Sequence, residues 1–208
     1  MNRKPKPPPV PPVLWMFLIV FVFLLCVQIA DMAYTAGEHA GEAEALRQVE
    51  SFRQGRINAL ADLMQEQNKK LYRAKAEHYA RLVVEECNRQ GLEYLQLVAQ
   101  MLHESGLRED ATGGVGEIGL MQICPWWLTK ADILGLDPIS ERELYDPVNN
   151  VKWGVAILKR CLGNTHGDLY KALCFYNAGP RWENGKGYAN KVLRLRSMLE
   201  KQLQEARG

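Results

Sequence analysis

The chain has almost no net charge, no Cys-x-x-Cys pair, no internal repeat and no convincing alternation of apolar and polar residues. Each absence removes a class. A formal charge of +2 over 208 residues does not supply the basic face that a phosphate backbone demands, so no nucleic acid partner is expected. The five cysteines lack the spacing of a structural zinc site. Without period-2 segments there is no basis for a sheet, and the expected class is mainly α. The length leaves room for one globular domain and some additional segments.

Proline is concentrated at one end. "MNRKPKPPPVPP", residues 1–12, holds most of the chain's ten prolines, with three cations and no acid. Such a tail is extended rather than helical. "VLWMFLIVFVFLLCVQIA", residues 13–30, then runs for eighteen positions without a charge. A helix of that length nearly crosses a hydrocarbon core of about 30 Å. Arg3, Lys4 and Lys6 precede it, while Asp31, Glu38, Glu42 and Glu44 follow before any cation. The positive-inside rule therefore leaves the N-terminus in the cytoplasm and exports the rest. The alternatives fit less well. A cleaved signal peptide needs a small-residue site that does not follow the run, and a lipoprotein signal ending at Cys26 would have Leu24 and Leu25 where small residues belong.

Export bears on the remaining cysteines. Cys87, Cys124, Cys161 and Cys174 would meet an oxidising compartment, where they could form one or two disulfides in any of three full pairings. Buried free thiols in a helical core are the other reading.

Residues 31–74 read as a helical stalk or linker. Glu38 to about Ala76 is rich in Ala, Glu, Gln, Arg and Leu without proline, which predicts one long helix. Ile57, Leu60, Met64, Gln67, Leu71 and Ala74 follow a 3-4 alternation. That spacing suits either a self-association seam or a helix packed on its own domain. Residues 75–200 form the expected domain, followed by a short tail, 201–208. Its helices should end at Gly91 and Gly106 as C-caps, run from about Val148 to Leu162 after an Asp146-Pro147 turn and stop at Gly163. The next should start at an Asp168 N-cap and break at Gly179-Pro180, with a last helix closing the chain.

"MLHESGLREDATGGVGEIGLMQICPWW", residues 101–127, is where chemistry is expected. Glu104 stands alone at a helix end among apolar neighbours such as Leu97 and Met101. Both settings disfavour a charged carboxylate and raise its pKa, as a general acid requires. A surface glutamate is the plainer reading of that helix alone. "GVGEIG" matches a dinucleotide fingerprint by letter, but no strand precedes it. "HESGL" has leucine at 107 where a zinc protease needs its second histidine. Neither a metal nor any other cofactor is called for.

Glu104-Ser105, then "GEIGLMQ", then "FYNAGP" at residues 175–180 resemble, in order and spacing, the three signature elements of the family 1 soluble-lytic-transglycosylase domain. That domain has a fold similar to goose-type lysozyme. "YDPVNNVKWGVAILKRCL" and "GYANKVL" also resemble that family's Asp-Pro-x-x-Asn turn and its closing tyrosine-bearing helix. The resemblance implies a lysozyme-like helical domain acting on peptidoglycan glycan strands between N-acetylmuramic acid and N-acetylglucosamine. It implies Glu104 as the single catalytic acid and base, Ser105, Gly119, Leu120, Met121 and Gln122 as the groove floor, and Tyr176, Asn177 and Ala178 as the opposite wall. Glu104 would protonate the leaving oxygen and then accept a proton from the muramic C6 hydroxyl, giving a 1,6-anhydro end. Tyr176 and Trp126 or Trp127 could offer aromatic faces to the sugars; core packing is the other reading for the tryptophans.

A hydrolytic muramidase of the same fold would need a second carboxylate to hold water, from Glu109, Asp110 or Glu117. Glu117 is read as a loop-surface residue. A non-catalytic wall-binding assembly factor would need none of these side chains. The expected location is a bacterial inner membrane, single-pass, with a cytoplasmic N-terminus and a periplasmic domain. Partners beyond the wall and the membrane are a second copy through the stalk, or secretion, pilus or phage machinery.

Overall fold

A computed structural model describes the backbone of residues 12–206 and the side chains from Gly41 onward, with those of Leu25, Gln28 and Met32. Seven helices account for most of it: α1 (Pro12–Gln67), α2 (Arg73–Gln90), α3 (Tyr94–Ser105), α4 (Ala131–Leu134), α5 (Pro147–Asn164), α6 (Leu169–Ala178) and α7 (Lys186–Glu205). Three 3₁₀ turns lie between them, at Pro125–Lys130, Glu141–Tyr145 and Gly179–Gly185. Among the described residues the only β pairing is two isolated bridges, Thr112 with Ile118 and Ile118 with Ile123. The class is mainly α.

The proline-rich tail lies outside the described residues except for Pro12. The apolar run at 13–30 is helical in its backbone; of its side chains only Leu25 and Gln28 are described, and both are exposed. Among the described residues no helix is long and apolar enough to cross a membrane.

The chain divides into two compact units, Met1–Phe52 and Arg53–Gly208. In the first, the described side chains from Gly41 to Phe52 are exposed. Leu46, Val49 and Phe52 are large apolar groups among them. The second unit contains the core. It includes residues 53–74, because Ile57, Leu60, Met64 and Leu71 are all buried in it. Those four of the six positions in the 3-4 alternation are spent on packing within the chain.

The long helix expected from 38 to about 76 is broken. α1 ends at Gln67 and α2 begins at Arg73. Asn68 makes the break. Its side-chain Oδ1 accepts from Lys70 N, and its Nδ2 donates to Gly106 O. Asparagine offers the backbone a local partner that competes with the helix.

α2 and α3 end on left-handed glycines, Gly91 at φ 67° and Gly106 at φ 62°. Asp146 caps α5 by accepting from Val148 N and Asn149 N, with Pro147 in the first turn. α5 then runs past Gly163, where a stop was expected, to Asn164. A single glycine costs a helix only about 1 kcal/mol. The chain turns instead at His166 and Gly167, both at positive φ, after Thr165 Oγ1 has taken the Cys161 carbonyl. Asp168 caps α6 through Lys171 N. α3 packs on α7, and α5 on both α2 and α6. Trp153 sits within this layer, 1% exposed; burying such a side chain contributes on the order of 2–3 kcal/mol. Cys87, Cys161 and Cys174 are buried free thiols and Cys124 is a half-buried one, so the disulfide reading gives way to the thiol one.

Candidate active site

Glu104 stands in the last turn of α3, where Gly106 turns the chain away from the helix. The segment that follows has little secondary structure of its own and is held by side chains. The single Ser105 hydroxyl proton is shared between Leu120 O at 2.9 Å and Met101 O at 3.1 Å, and Ser105 Oγ accepts from Arg108 N, tying the segment to the helix end. Asn150, from the first turns of α5, is buried and uses its whole amide. Its Nδ2 donates to Ile118 O and Leu144 O, and its Oδ1 accepts from Met121 N at 2.7 Å. Tyr176, on α6, donates to Met121 O. Met121 is thus gripped at both backbone groups by separate helices.

Two glycines make this close approach feasible. Gly119 is at φ 77°, and a Cβ there would overlap the Asn150 amide. A Cβ on Gly113 would strike the carboxylate of Glu117 and the amide oxygen of Gln122. Gln122 itself is at φ 46°, a region side chains seldom adopt. Its amide compensates by donating to Gly119 O and Ala111 O.

The result is a cleft of about 270 Å³ with Glu104 in its wall. Gly113, Gly114 and Glu117 line one part, Gln122, Ile123, Cys124 and Trp127 another, and Ile157, Tyr176 and Asn177 the rest. Burial pushes the Glu104 carboxyl up to about 7, and the negative charge of Glu117 acts in the same direction. The phenol of Tyr188 on α7 opposes them by donating to Glu104 Oε1 at 2.6 Å. Glu104 therefore holds its proton well above the ordinary carboxylate range, as suits an acid that can become a base in the next step. Tyr176 and Tyr188 lie nearly parallel, centroids 6.4 Å apart. Burial and the Glu104 charge raise both phenols well above their ordinary range, so they act as neutral donors. Among the described residues no group of His, Cys, Asp and Glu is gathered to hold a metal ion.

Of the residues expected at the site, Glu104, Gln122, Tyr176 and Asn177 line the cleft. Ser105, Gly119, Leu120 and Met121 are buried behind it as supports. Ala178, half-buried, is outside the lining. Trp127 lines the cleft, while Trp126 is exposed and meets it edge-on at 5.1 Å. Glu109 and Asp110 face a different cavity. There burial works against the Glu109 charge, but hydrogen bonds from Lys75 and Tyr79 outweigh it and hold the carboxyl below its ordinary range.

Glu117, read from the sequence as a loop-surface residue, belongs to the cleft. Its backbone lies on the loop, but Gly113 leaves room for the side chain to fold inward, where it accepts from Val115 N. Tyr188 was missed as a partner of Glu104. The closing "GYANKVL" carried it, but nothing in the spacing tells which carboxylate a tyrosine 84 positions away will reach.

A family model described as the transglycosylase SLT domain matches residues 81–192, from α2 into α7 and across every cleft residue. The chain belongs to that family. A transglycosylase of Enterobacteria phage PRD1 is 34% identical to this SLT chain over 109 residues, covering 50% of the chain and 38% of the phage protein. An inactive Glu-to-Gln mutant of the lytic transglycosylase Slt of Pseudomonas aeruginosa aligns with a TM-score of 0.55 at 22% identity, over 70% of this chain and 30% of that one. The 70 kDa soluble lytic transglycosylase of Escherichia coli aligns at 0.56 and 18%, over 69% and 28%. The two structures show that the SLT chain has the lysozyme-like fold. It spans well under half the length of each of these relatives.

Proposed function

We propose that the chain is a peptidoglycan lytic transglycosylase with Glu104 as its one acid and base, tethered to the membrane through residues 13–30. The observation that carries the reading is the Glu104 carboxyl, lifted to about 7 by burial in the wall of a polar cleft. Membership of the SLT family and the transglycosylase activity its relatives are named for add to it.

Protonated Glu104 gives its proton to the glycosidic oxygen, the C1–O bond breaks, and the N-acetylglucosamine side leaves as an alcohol. The N-acetyl oxygen of the muramic residue shares the positive charge at C1. Glu104, now a carboxylate, takes the proton from the C6 hydroxyl while O6 bonds to C1. The acid is regenerated and no water is consumed. The Tyr188 phenol stabilises the carboxylate in the middle of the cycle. Trp127 and Tyr176 supply the aromatic and polar wall for the sugars.

Glu117 supports a second reading. A carboxylate in the same cleft could orient water at C1, and the chain would then be a muramidase. For tethering, the support is the uncharged run at 13–30 with cations before it and acids after it. For self-association, it is the exposed apolar set Leu46, Val49 and Phe52. Recruitment by secretion, pilus or phage machinery rests on the tether and on the phage relative alone. Clearing of purified peptidoglycan by the 208-residue chain, with loss of at least about a thousandfold in Glu104→Gln, is the expected result on the scale of a missing catalytic group; clearing at the parent rate would end the proposal.

A further inference from the structure

Behind Glu104 lies a line of buried polar side chains that the mechanism leaves unused. Gln96, Gln100 and Glu104 are spaced four apart on α3 and share a face. Gln96 is 3% exposed and Gln100 is fully buried. Gln96 Nε2 donates to Gln100 Oε1, Gln100 Nε2 donates to the Tyr188 hydroxyl, and Tyr188 donates to Glu104 Oε1. The chain of donors runs one way. At its far end Gln96 Oε1 is buried without a partner.

We propose that Gln100 is a positioning residue that fixes the polarity of Tyr188 and so decides which oxygen of Glu104 carries the acid proton. The inference rests on the reading of Glu104 as catalytic acid. A phenol has one proton to give. The Gln100 amide nitrogen can only donate, so Tyr188 must accept there and spend its proton on Glu104 Oε1. The acid proton of Glu104 is then confined to Oε2, the oxygen left for substrate. If the Gln100 amide were reversed, Tyr188 would donate to it and accept from Glu104 instead, and the acid proton would point into the protein. Gln96 opposes that reversal by donating to Gln100 Oε1. The Gln100 N–H also polarises the phenol, which strengthens its bond to the carboxylate. The other titratable groups near Glu104 are Tyr176 from α6, Glu117 from the loop, and His103 on α3 itself, edge-on to the Tyr188 ring with Lys191 of α7 beside it.

The test uses the 208-residue chain with Gln100→Leu, Gln100→Glu, Tyr188→Phe and the double variant Gln100→Leu/Tyr188→Phe. Two quantities are read: turnover of peptidoglycan, and the ¹³C titration of the Glu104 carboxyl. Gln100→Leu should lower kcat by about 5–20-fold with little change in KM and move the titration midpoint upward, the size of one neutral hydrogen bond acting through another. Gln100→Glu, which accepts where Gln100 donates, should cost more. In the Tyr188→Phe background Gln100→Leu should change neither quantity further. An equal effect of Gln100→Leu with and without the tyrosine hydroxyl would mean packing alone and would overturn the proposal, as would a midpoint and kcat equal to the parent's. If Glu104→Gln keeps full activity, the catalytic reading fails, and with it the assignment of an acid proton for Gln100 to place. If only the Gln100 variants behave like the parent, the catalytic reading stands and this inference fails.

Discussion

An acid kept protonated by burial has a consequence for stability. The Glu104 carboxyl titrates near 7 in the folded chain against an ordinary 4.5. Between those values the folded state holds a proton that the unfolded state has released. The stability this gives is present below about pH 4.5 and is lost as pH rises through 7, because the unfolded chain ionises freely and the folded one does not. With these two pKa values, linkage makes the penalty about 1 kcal/mol at pH 5 and about 3 kcal/mol at pH 8. Glutamine removes the ionisation and keeps an amide oxygen for Tyr188 to donate to. Whatever fixed cost Glu104→Gln carries, the stability gained over the parent should therefore be larger at pH 8 than at pH 5 by about 2–3 kcal/mol. For a unit of this size that corresponds to about 5–10 °C in Tm. Urea or thermal unfolding of both proteins at the two pH values measures it. A gain that is the same at both, within about 0.5 kcal/mol, would mean that Glu104 is not held protonated by burial and would remove the electrostatic basis of the site.

Asn150→Ala should cost about 2–4 kcal/mol in urea unfolding, since it strands Ile118 O, Leu144 O and Met121 N in a buried turn; a cost under about 0.5 would show that the turn holds itself. A fragment of residues 75–208 should fail to unfold cooperatively, because losing Ile57, Leu60, Met64 and Leu71 removes about 2–5 kcal/mol apiece from a margin of about 5–15; a melt matching that of residues 53–208 would refute this. Among the four described thiols, native labelling should reach Cys124 in the cleft first. Cys87 and Cys161, pushed up to about 12 and about 11 by burial, should react only on unfolding. Rapid native labelling of Cys87 would contradict the packing of α2.

Much of the fold could be read from local chemistry. Gly91 and Gly106 end helices because each takes a left-handed conformation, and Asp146 and Asp168 start them because each caps backbone N–H groups. Those signals act within a few residues. Asn68 was harder to read, since asparagine breaks a helix only when its amide finds a partner, here Gly106 O, 38 positions away. The seam at 57–71 left two readings open because an apolar stripe does not say whether it meets its own core or another chain. At the site, the order of Glu104, Gln122 and Tyr176 along the chain identified the cleft. What stayed hidden was the direction in which side chains turn. Glu117 reaches inward only because Gly113 has no Cβ, and Tyr188 reaches Glu104 only because α7 packs on α3. Gln96 and Gln100 left a trace in their four-residue spacing from Glu104, visible once α3 is known to be buried on that face.

The central claim is that Glu104 alone serves as acid and then base. The most direct test is mass spectrometry of glycan fragments released from purified peptidoglycan by the 208-residue chain, with Glu104→Gln alongside. Fragments ending in 1,6-anhydromuramic acid are expected from the parent and none from the variant. Reducing ends one water heavier, lost in Glu117→Gln, would contradict it and make Glu117 the second carboxylate of a hydrolase.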